Sequence, residues 1–210
     1  MDEGIGSTAP ANVAAARPLH AAAERGDVDA VKRLLAEGAA IDARDERGQT
    51  ALLAAVWRNQ TETARTLIEA GADVIAQDDI HDSPYLLAGA EGRLEILRLA
   101  LAHGTDLTSV NRWGGTALIP ASERGHVEAL RTLLDAGVDV NYVNKLGWTA
   151  LLEAIMLGDG GPRHVEIVRL LIAGGADVNF ADRDGVTPLQ HAQRRGYQEM
   201  EVLLEAAGAS

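Results

Sequence analysis

The chain carries a glycine at nearly constant intervals over almost its whole length. Successive members of this series are separated by 33, 33, 33, 38 and 33 residues. The positions are Gly38, Gly71, Gly104, Gly137, Gly175 and Gly208. The segments between them match one another position by position, which is typical of small units that stack and bury each other's apolar faces. We therefore expect one elongated domain with a long open surface, and we expect the function to reside on that surface.

Each unit encodes two short helices and a tight turn. A hydroxyl residue such as Thr50 precedes an Ala-Leu or Pro-Leu pair and suits the N-cap of the first helix. Small residues recur within that helix, at positions 22, 55, 88, 121, 154 and 192. The second helix carries apolar residues on one face, as in Val127, Leu130 and Leu133, and ends at the recurrent glycine. Before each first helix, an Asp or Asn suits the tight turn of a hairpin-like finger.

Two segments of the chain resemble the ankyrin repeat. They are GVTPLQHA at residues 185–192 and LLIAGGADVN at residues 170–179. The resemblance implies an all-α solenoid of six ankyrin-type helix-turn-helix repeats with short β-hairpin-like fingers and terminal repeats that act as caps. The segments around residues 114–121 and 157–164 are similar to a group of bacterial ankyrin-repeat proteins. The histidine that usually follows the Pro-Leu pair is present here only as His20.

The repeat alignment divides the chain into a tail and an array. Residues 1–11 match the unit poorly, which predicts a disordered tail or a frayed helix. The array then covers residues 12–210, with repeats at about 12–44, 45–77, 78–110, 111–143, 144–181 and 182–210. The fifth repeat is longer than the others because five residues, 159–163, are added between its helices. This addition is interpreted either as a tolerated surface insertion or as a contact for a partner.

Charge and composition exclude several classes of function. A net charge of −12 and an isoelectric point near 4.9 argue against nucleic acid, which requires clustered Lys and Arg. The absence of cysteine excludes a thiolate nucleophile or a Cys-type zinc site. No apolar stretch of signal or transmembrane length is present, which predicts no membrane association and a cytoplasmic protein, or a periplasmic one if a leader has been removed. We also predict a monomer that uses no cofactor.

The predicted finger tips carry unusual apolar residues. One repeat position holds Ile80, Trp113 and Leu146 in the middle copies, with Tyr142 and Trp148 close by. Aromatic residues are only 3% of the chain, so their presence on predicted exposed fingers favours a partner-binding surface. Local packing between neighbouring fingers is an equally good explanation of the two tryptophans.

Along the predicted inner face, one repeated position changes from copy to copy. It is occupied in turn by Ala21, Ala54, Leu87, Pro120, Glu153 and His191. Such variation is typical of a recognition surface, and unselected drift produces the same pattern. We include Leu87 and Glu153 among the predicted partner-binding residues.

These observations favour a non-catalytic scaffold that binds a folded protein partner through its concave face and finger tips. The alternative is a regulatory module that binds a metal ion or small ligand. It would use the acidic finger at Asp78–Asp82, which includes His81, or the glycine-rich loop at Gly158–His164. No catalytic, cofactor-binding or metal-binding residue is predicted, since no triad, carboxylate pair or phosphate loop recurs at the required spacing.

Overall fold

The computed structural model describes the backbone of residues 9–210 and the side chains of residues 15–210. This part of the chain contains twelve α-helices. They are α1 (Ala9–Arg25), α2 (Val28–Ala36), α3 (Ala51–Trp57), α4 (Thr61–Glu69), α5 (Pro84–Ala90), α6 (Leu94–Ala102), α7 (Leu118–Glu123), α8 (Val127–Asp135), α9 (Ala150–Met156), α10 (Pro162–Ala173), α11 (Pro188–Arg195) and α12 (Gln198–Ala206).

The helices stack as consecutive pairs in two layers. The first helices of the pairs, α1, α3, α5, α7, α9 and α11, contact one another in chain order, and so do the second helices. Each pair therefore packs mainly against its neighbours, which confirms the predicted all-α solenoid. The boundaries of individual repeats stay a prediction, because such an array divides equally well at any equivalent turn.

The second helix of each pair ends at the periodic glycine. All six glycines have φ between 87° and 92°, a left-handed conformation that side chains with a Cβ atom rarely adopt. The backbone therefore needs glycine once in every unit, and this requirement explains the spacing of the series.

The core between the layers consists of small and branched apolar residues. The recurrent alanines of the first helices, at positions 22, 55, 88, 121, 154 and 192, are at most 1% exposed. Leu97, Leu130 and Leu133 of the second helices are completely buried. Small residues on one helix and larger ones on the other allow the helices to approach closely, as the sequence predicts.

Most first helices begin at the predicted hydroxyl cap. The side chains of Thr50, Ser83, Thr149 and Thr187 each accept a hydrogen bond from the backbone N–H three residues later. Thr116 does not, and α7 starts only at Leu118. Pro120 lies in this first turn and lacks a backbone N–H, so the turn here has a different hydrogen-bond pattern.

The fingers are built from turns rather than strand pairs, and residues 9–210 contain no β-strand. In every finger the Asp or Asn at position 45, 78, 111, 144 or 182 accepts hydrogen bonds from the backbone N–H groups two and four residues later. Each finger therefore has its own internal clamp, which confirms the predicted role of these residues.

The start of the first helix and the apolarity of all the helices can be compared with the sequence predictions. Helix α1 begins at Ala9, so residues 9–11 of the predicted tail are helical, and residues 1–8 of that tail lie outside the described residues. A search of the described helices finds none with the length and apolarity needed to cross a membrane.

Candidate functional site

A groove runs between the fingers and the first helices in the middle of the array. We call it the central groove. Its volume is about 340 Å³. Leu87, Pro120 and Glu153, from helices α5, α7 and α9, form its floor. Trp113 and Leu146, from two successive fingers, form one wall. The array thus creates a recess from residues that are about one repeat length apart in sequence.

The finger tips next to this groove are apolar and exposed. Ile80, Trp113 and Leu146 are 44%, 57% and 44% exposed, and we call them the fingertip row. The backbone N–H of each donates to the Asp or Asn side chain that clamps its finger, at 2.9–3.0 Å. Their backbone positions are therefore defined before any partner arrives, which reduces the entropy lost on binding.

The structure brings together four of the predicted partner-binding residues. Leu87, Trp113, Leu146 and Glu153 all line the central groove. Ile80 lines an adjoining groove of about 480 Å³, together with Asp79 of the same finger and Arg47 of the preceding, outer finger. All three members of the fingertip row therefore line one of these two grooves.

Two of the predicted residues lie elsewhere. Tyr142 is half-buried and packs against the hydrophobic core. Trp148 is half-buried and does not line the central groove, and its backbone N–H donates to Asn144. Packing on the core is the better explanation for Tyr142, and the role of Trp148 as a partner-binding residue stays a prediction.

Trp57 joins the two grooves, and it is not in the predicted set. It is 42% exposed and lines both of them. Trp57 lies three residues after Ala54, and Glu123 lies three residues after Pro120, so both follow the variable inner position by nearly one helical turn. That spacing was the available signal, because residues at i and i+3 share one face of a helix.

Ion pairs occupy one side of the central groove. The Arg112 guanidinium lies 3.9 Å from the Asp82 carboxylate and 5.7 Å from the centroid of the Trp113 ring. Arg124 pairs with Glu91. Burial and the neighbouring Asp78 carboxylate raise the pKa of Asp82, while Arg112 acts in the opposite direction. These pairs are partly exposed, so they orient side chains more than they stabilise the fold.

Glu153 lies at the floor of the groove and is only 5% exposed. Its Oε1 atom accepts a hydrogen bond of 2.7 Å from Asn144 Nδ2. Burial, and then the negative charge of Glu123, raise the pKa of Glu153 to about 7. A carboxyl group with such a pKa changes its charge near neutral pH.

In the acidic finger at Asp78–Asp82, the carboxylate of the first residue, Asp78, accepts hydrogen bonds from within the chain. Asp78 is buried, and its Oδ1 atom accepts the backbone N–H groups of Ile80 and Asp82. Its Oδ2 atom accepts 3.1 Å from Gln49 Nε2 of the preceding finger. His81 has φ of 62° at the position that is glycine in most other fingers. Among the described residues, no three acidic or histidine side chains are grouped as metal ligands.

We therefore expect calcium, zinc or manganese to leave the melting temperature unchanged. An ion stabilises a fold only when it binds the folded state at the concentration used, and both carboxylate oxygens of Asp78 already accept hydrogen bonds within the chain. Differential scanning fluorimetry with each ion in turn checks this. A rise of several degrees that disappears in His81→Ala would instead place an ion at this finger.

The glycine-rich loop at Gly158–His164 forms hydrogen bonds within itself and with Tyr197. Asp159 accepts a 2.9 Å hydrogen bond from the backbone of Gly161 and contacts His164 Nδ1 at 2.7 Å. The Tyr197 hydroxyl donates to the Gly158 carbonyl oxygen at 3.0 Å. The insertion also extends α10 to 12 residues, compared with 9 in α8. The loop is thus an ordered connection that packs against the last repeat and leaves no open cradle of backbone N–H groups.

Comparisons with known proteins agree with this architecture. The family model for ankyrin repeats matches residues 6–78, 85–182 and 141–210. No curated protein matches the chain significantly. Among solved structures, an ankyrin repeat domain from Acinetobacter baumannii AYE is 61% identical over 92% of this chain and 98% of its own, with a TM-score of 0.89.

Two further structures extend the comparison. An ankyrin-repeat protein from Enterococcus is 42% identical over 93% of this chain and 98% of its own, with a TM-score of 0.87. The ankyrin repeat domain of Bcl-3, a member of the IkappaB protein family, is 30% identical over 92% of this chain and 86% of its own, with a TM-score of 0.82. The chain therefore belongs to the ankyrin-repeat family.

Proposed function

We propose that the chain is a non-catalytic scaffold that binds a folded protein partner through the central groove and the fingertip row. Ankyrin repeats generally mediate interactions between proteins. The observation that carries the proposal is the fingertip row itself, in which three large apolar side chains are held exposed on consecutive fingers beside a recess. Exposed apolar residues of this size around a recess are typical of protein interfaces.

The remaining features of the face suit a protein rather than a smaller ligand. The two grooves share Trp57 as a lining residue and present aliphatic, aromatic and charged groups over several repeats. The metal or small-ligand alternative receives no support from the acidic finger or the glycine-rich loop, since both are occupied by internal hydrogen bonds. We propose that the scaffold acts as a monomer, in the cytoplasm or in the periplasm if a leader is removed.

Substitution of Trp113 tests this proposal. The partner is first isolated from the source cells by crosslinking and mass spectrometry, and its affinity is then measured by calorimetry. We expect Trp113→Ala to weaken binding by about 2 kcal/mol, or roughly 30-fold, as for an interface hot spot. The fold should survive, because the Trp113 side chain is 57% exposed and contributes little to the core.

Matched controls come from the same repeat position in the outer fingers. Arg47→Ala and Asp184→Ala remove polar side chains there and should change the affinity only slightly. A large loss at Arg47 with none at Trp113 would place the partner at the adjoining groove instead of the central groove and would contradict the proposal. Unfolding of Trp113→Ala would show that the tryptophan is a packing residue.

A further inference from the structure

The central groove contains two carboxyl groups that its own cations do not neutralise. Of the four acidic residues that line it, Asp82 pairs with Arg112 and Glu91 pairs with Arg124. Within residues 15–210, none of the ion pairs involves Glu123 or Glu153. These two residues lie on the neighbouring first helices α7 and α9.

Glu153 has one carboxylate oxygen available to the groove. Its Oε1 atom is bound by Asn144, whereas its Oε2 atom has no hydrogen-bond partner in the described part of the chain, and the residue lines the groove. The effect of Glu123 on Glu153 is repulsive, and among the side chains of residues 15–210 no Lys or Arg offsets it. A buried acidic group without a cation is costly for a fold, and its cost falls when a positive charge arrives from outside.

The apolar walls of the central groove suit the hydrocarbon stem of an Arg or Lys side chain. Arg and Lys have apolar stems that pack on hydrophobic surfaces while the charged head remains in polar surroundings. Trp113 and Leu146 form an apolar wall beside the carboxyl groups, and Pro120 lies on the floor between Leu87 and Glu153 in the order of the repeats. The net charge of −12 also attracts a basic partner over longer distances.

We propose that the central groove binds an arginine or lysine side chain of the protein partner, with its charged head between Glu123 and Glu153 and its stem against Trp113 and Leu146. This inference rests on the proposed function and specifies the partner: a segment with one basic residue flanked by apolar residues. Arginine fits best, because its guanidinium group has enough donors to serve two carboxylates at once.

The probe for this proposal is a phage-displayed library of random peptides, selected on the full chain above the pKa of Glu153. We expect the enriched peptides to share an Arg or Lys next to apolar residues. The best peptide is then synthesised with arginine and, separately, with its neutral isostere citrulline. Fluorescence anisotropy measures how both bind the wild-type chain and the double variant Glu123→Gln/Glu153→Gln.

We expect the double variant to lose at least about tenfold in affinity for the arginine peptide, as for loss of charge-assisted hydrogen bonds. The citrulline peptide should bind both proteins equally weakly. The inference is overturned if enriched peptides lack basic residues or if the double variant binds the arginine peptide normally. Urea unfolding of the double variant, in which glutamine can still accept from Asn144, verifies that the fold is retained.

Trp113→Ala separates this inference from the proposed function. Peptides that depend on Trp113 but not on the two carboxyl groups would leave the groove as a protein-binding site while refuting the basic side chain. Peptides that depend on neither would count against both proposals.

Discussion

Leu133→Ala is expected to lower the free energy of unfolding by about 3 kcal/mol, which lies within the range for truncation of a buried leucine. Leu133 is completely buried in α8, near the middle of the stack. It also reaches the preceding repeat, where a Cβ atom added to Gly89 would lie 3.6 Å from its Cδ1 atom. The cavity would therefore weaken packing within its own repeat and between neighbouring repeats.

Leu157→Ala is the matched control. Leu157 is 50% exposed, so the same truncation there should change the free energy of unfolding by no more than about 0.5 kcal/mol. Urea unfolding followed by circular dichroism measures both variants and is fitted with a nearest-neighbour model, because repeat arrays need not unfold in one step. Equal effects of the two substitutions would contradict the packing described above.

Glu153 is expected to make the protein less stable as the pH rises from about 4.5 to about 7. Its pKa is higher in the folded chain than in the unfolded chain, so the folded state binds the proton more tightly. The stabilisation is complete below the unfolded pKa and is lost as the pH rises through the folded pKa. With the pKa of Glu153 raised to about 7, the full change is at most about 3 kcal/mol.

Glu153→Gln should remove this loss, because glutamine does not ionise and can still accept from Asn144. The measured quantity is the difference in unfolding free energy between wild type and variant across that pH range, in which contributions from the histidines cancel. Glu123→Gln should move the same transition to lower pH by removing the repulsive charge. A wild type and a Glu153→Gln variant with parallel pH profiles would refute the assignment.

Glu123 and Glu153 show which features of the site can be predicted from the sequence and which cannot. From the sequence, Glu153 is recognisable as a member of a variable inner position that could approach Glu123 across adjacent helices, but its burial is not recognisable. The two residues are 30 positions apart in the chain and meet only because α7 and α9 stack side by side. Trp57 is a similar case, since it borders a groove whose other wall comes from Trp113, nearly two repeats later.

For the aromatic residues, the sequence does not distinguish exposed side chains from packed ones. The sequence treats Tyr142, Trp113 and Trp148 alike, because all three lie in or near fingers. The structure exposes Trp113 and packs Tyr142 against the core. Which side a finger residue faces depends on the neighbouring finger, and that neighbour is one full repeat away in the chain.

The sequence by itself determined the period, the helix pairs, the hydroxyl caps and the finger clamps. These features depend on contacts between residues at most a few positions apart, such as the hydrogen bonds from Asn144 to the N–H groups of Leu146 and Trp148. Tertiary structure alone decided that Leu87, Trp113, Leu146 and Glu153 share one groove, and that the added residues 159–163 pack as an ordered turn and helix extension. Convergence of this kind depends on how successive repeats stack, which involves contacts roughly a repeat length apart in the chain.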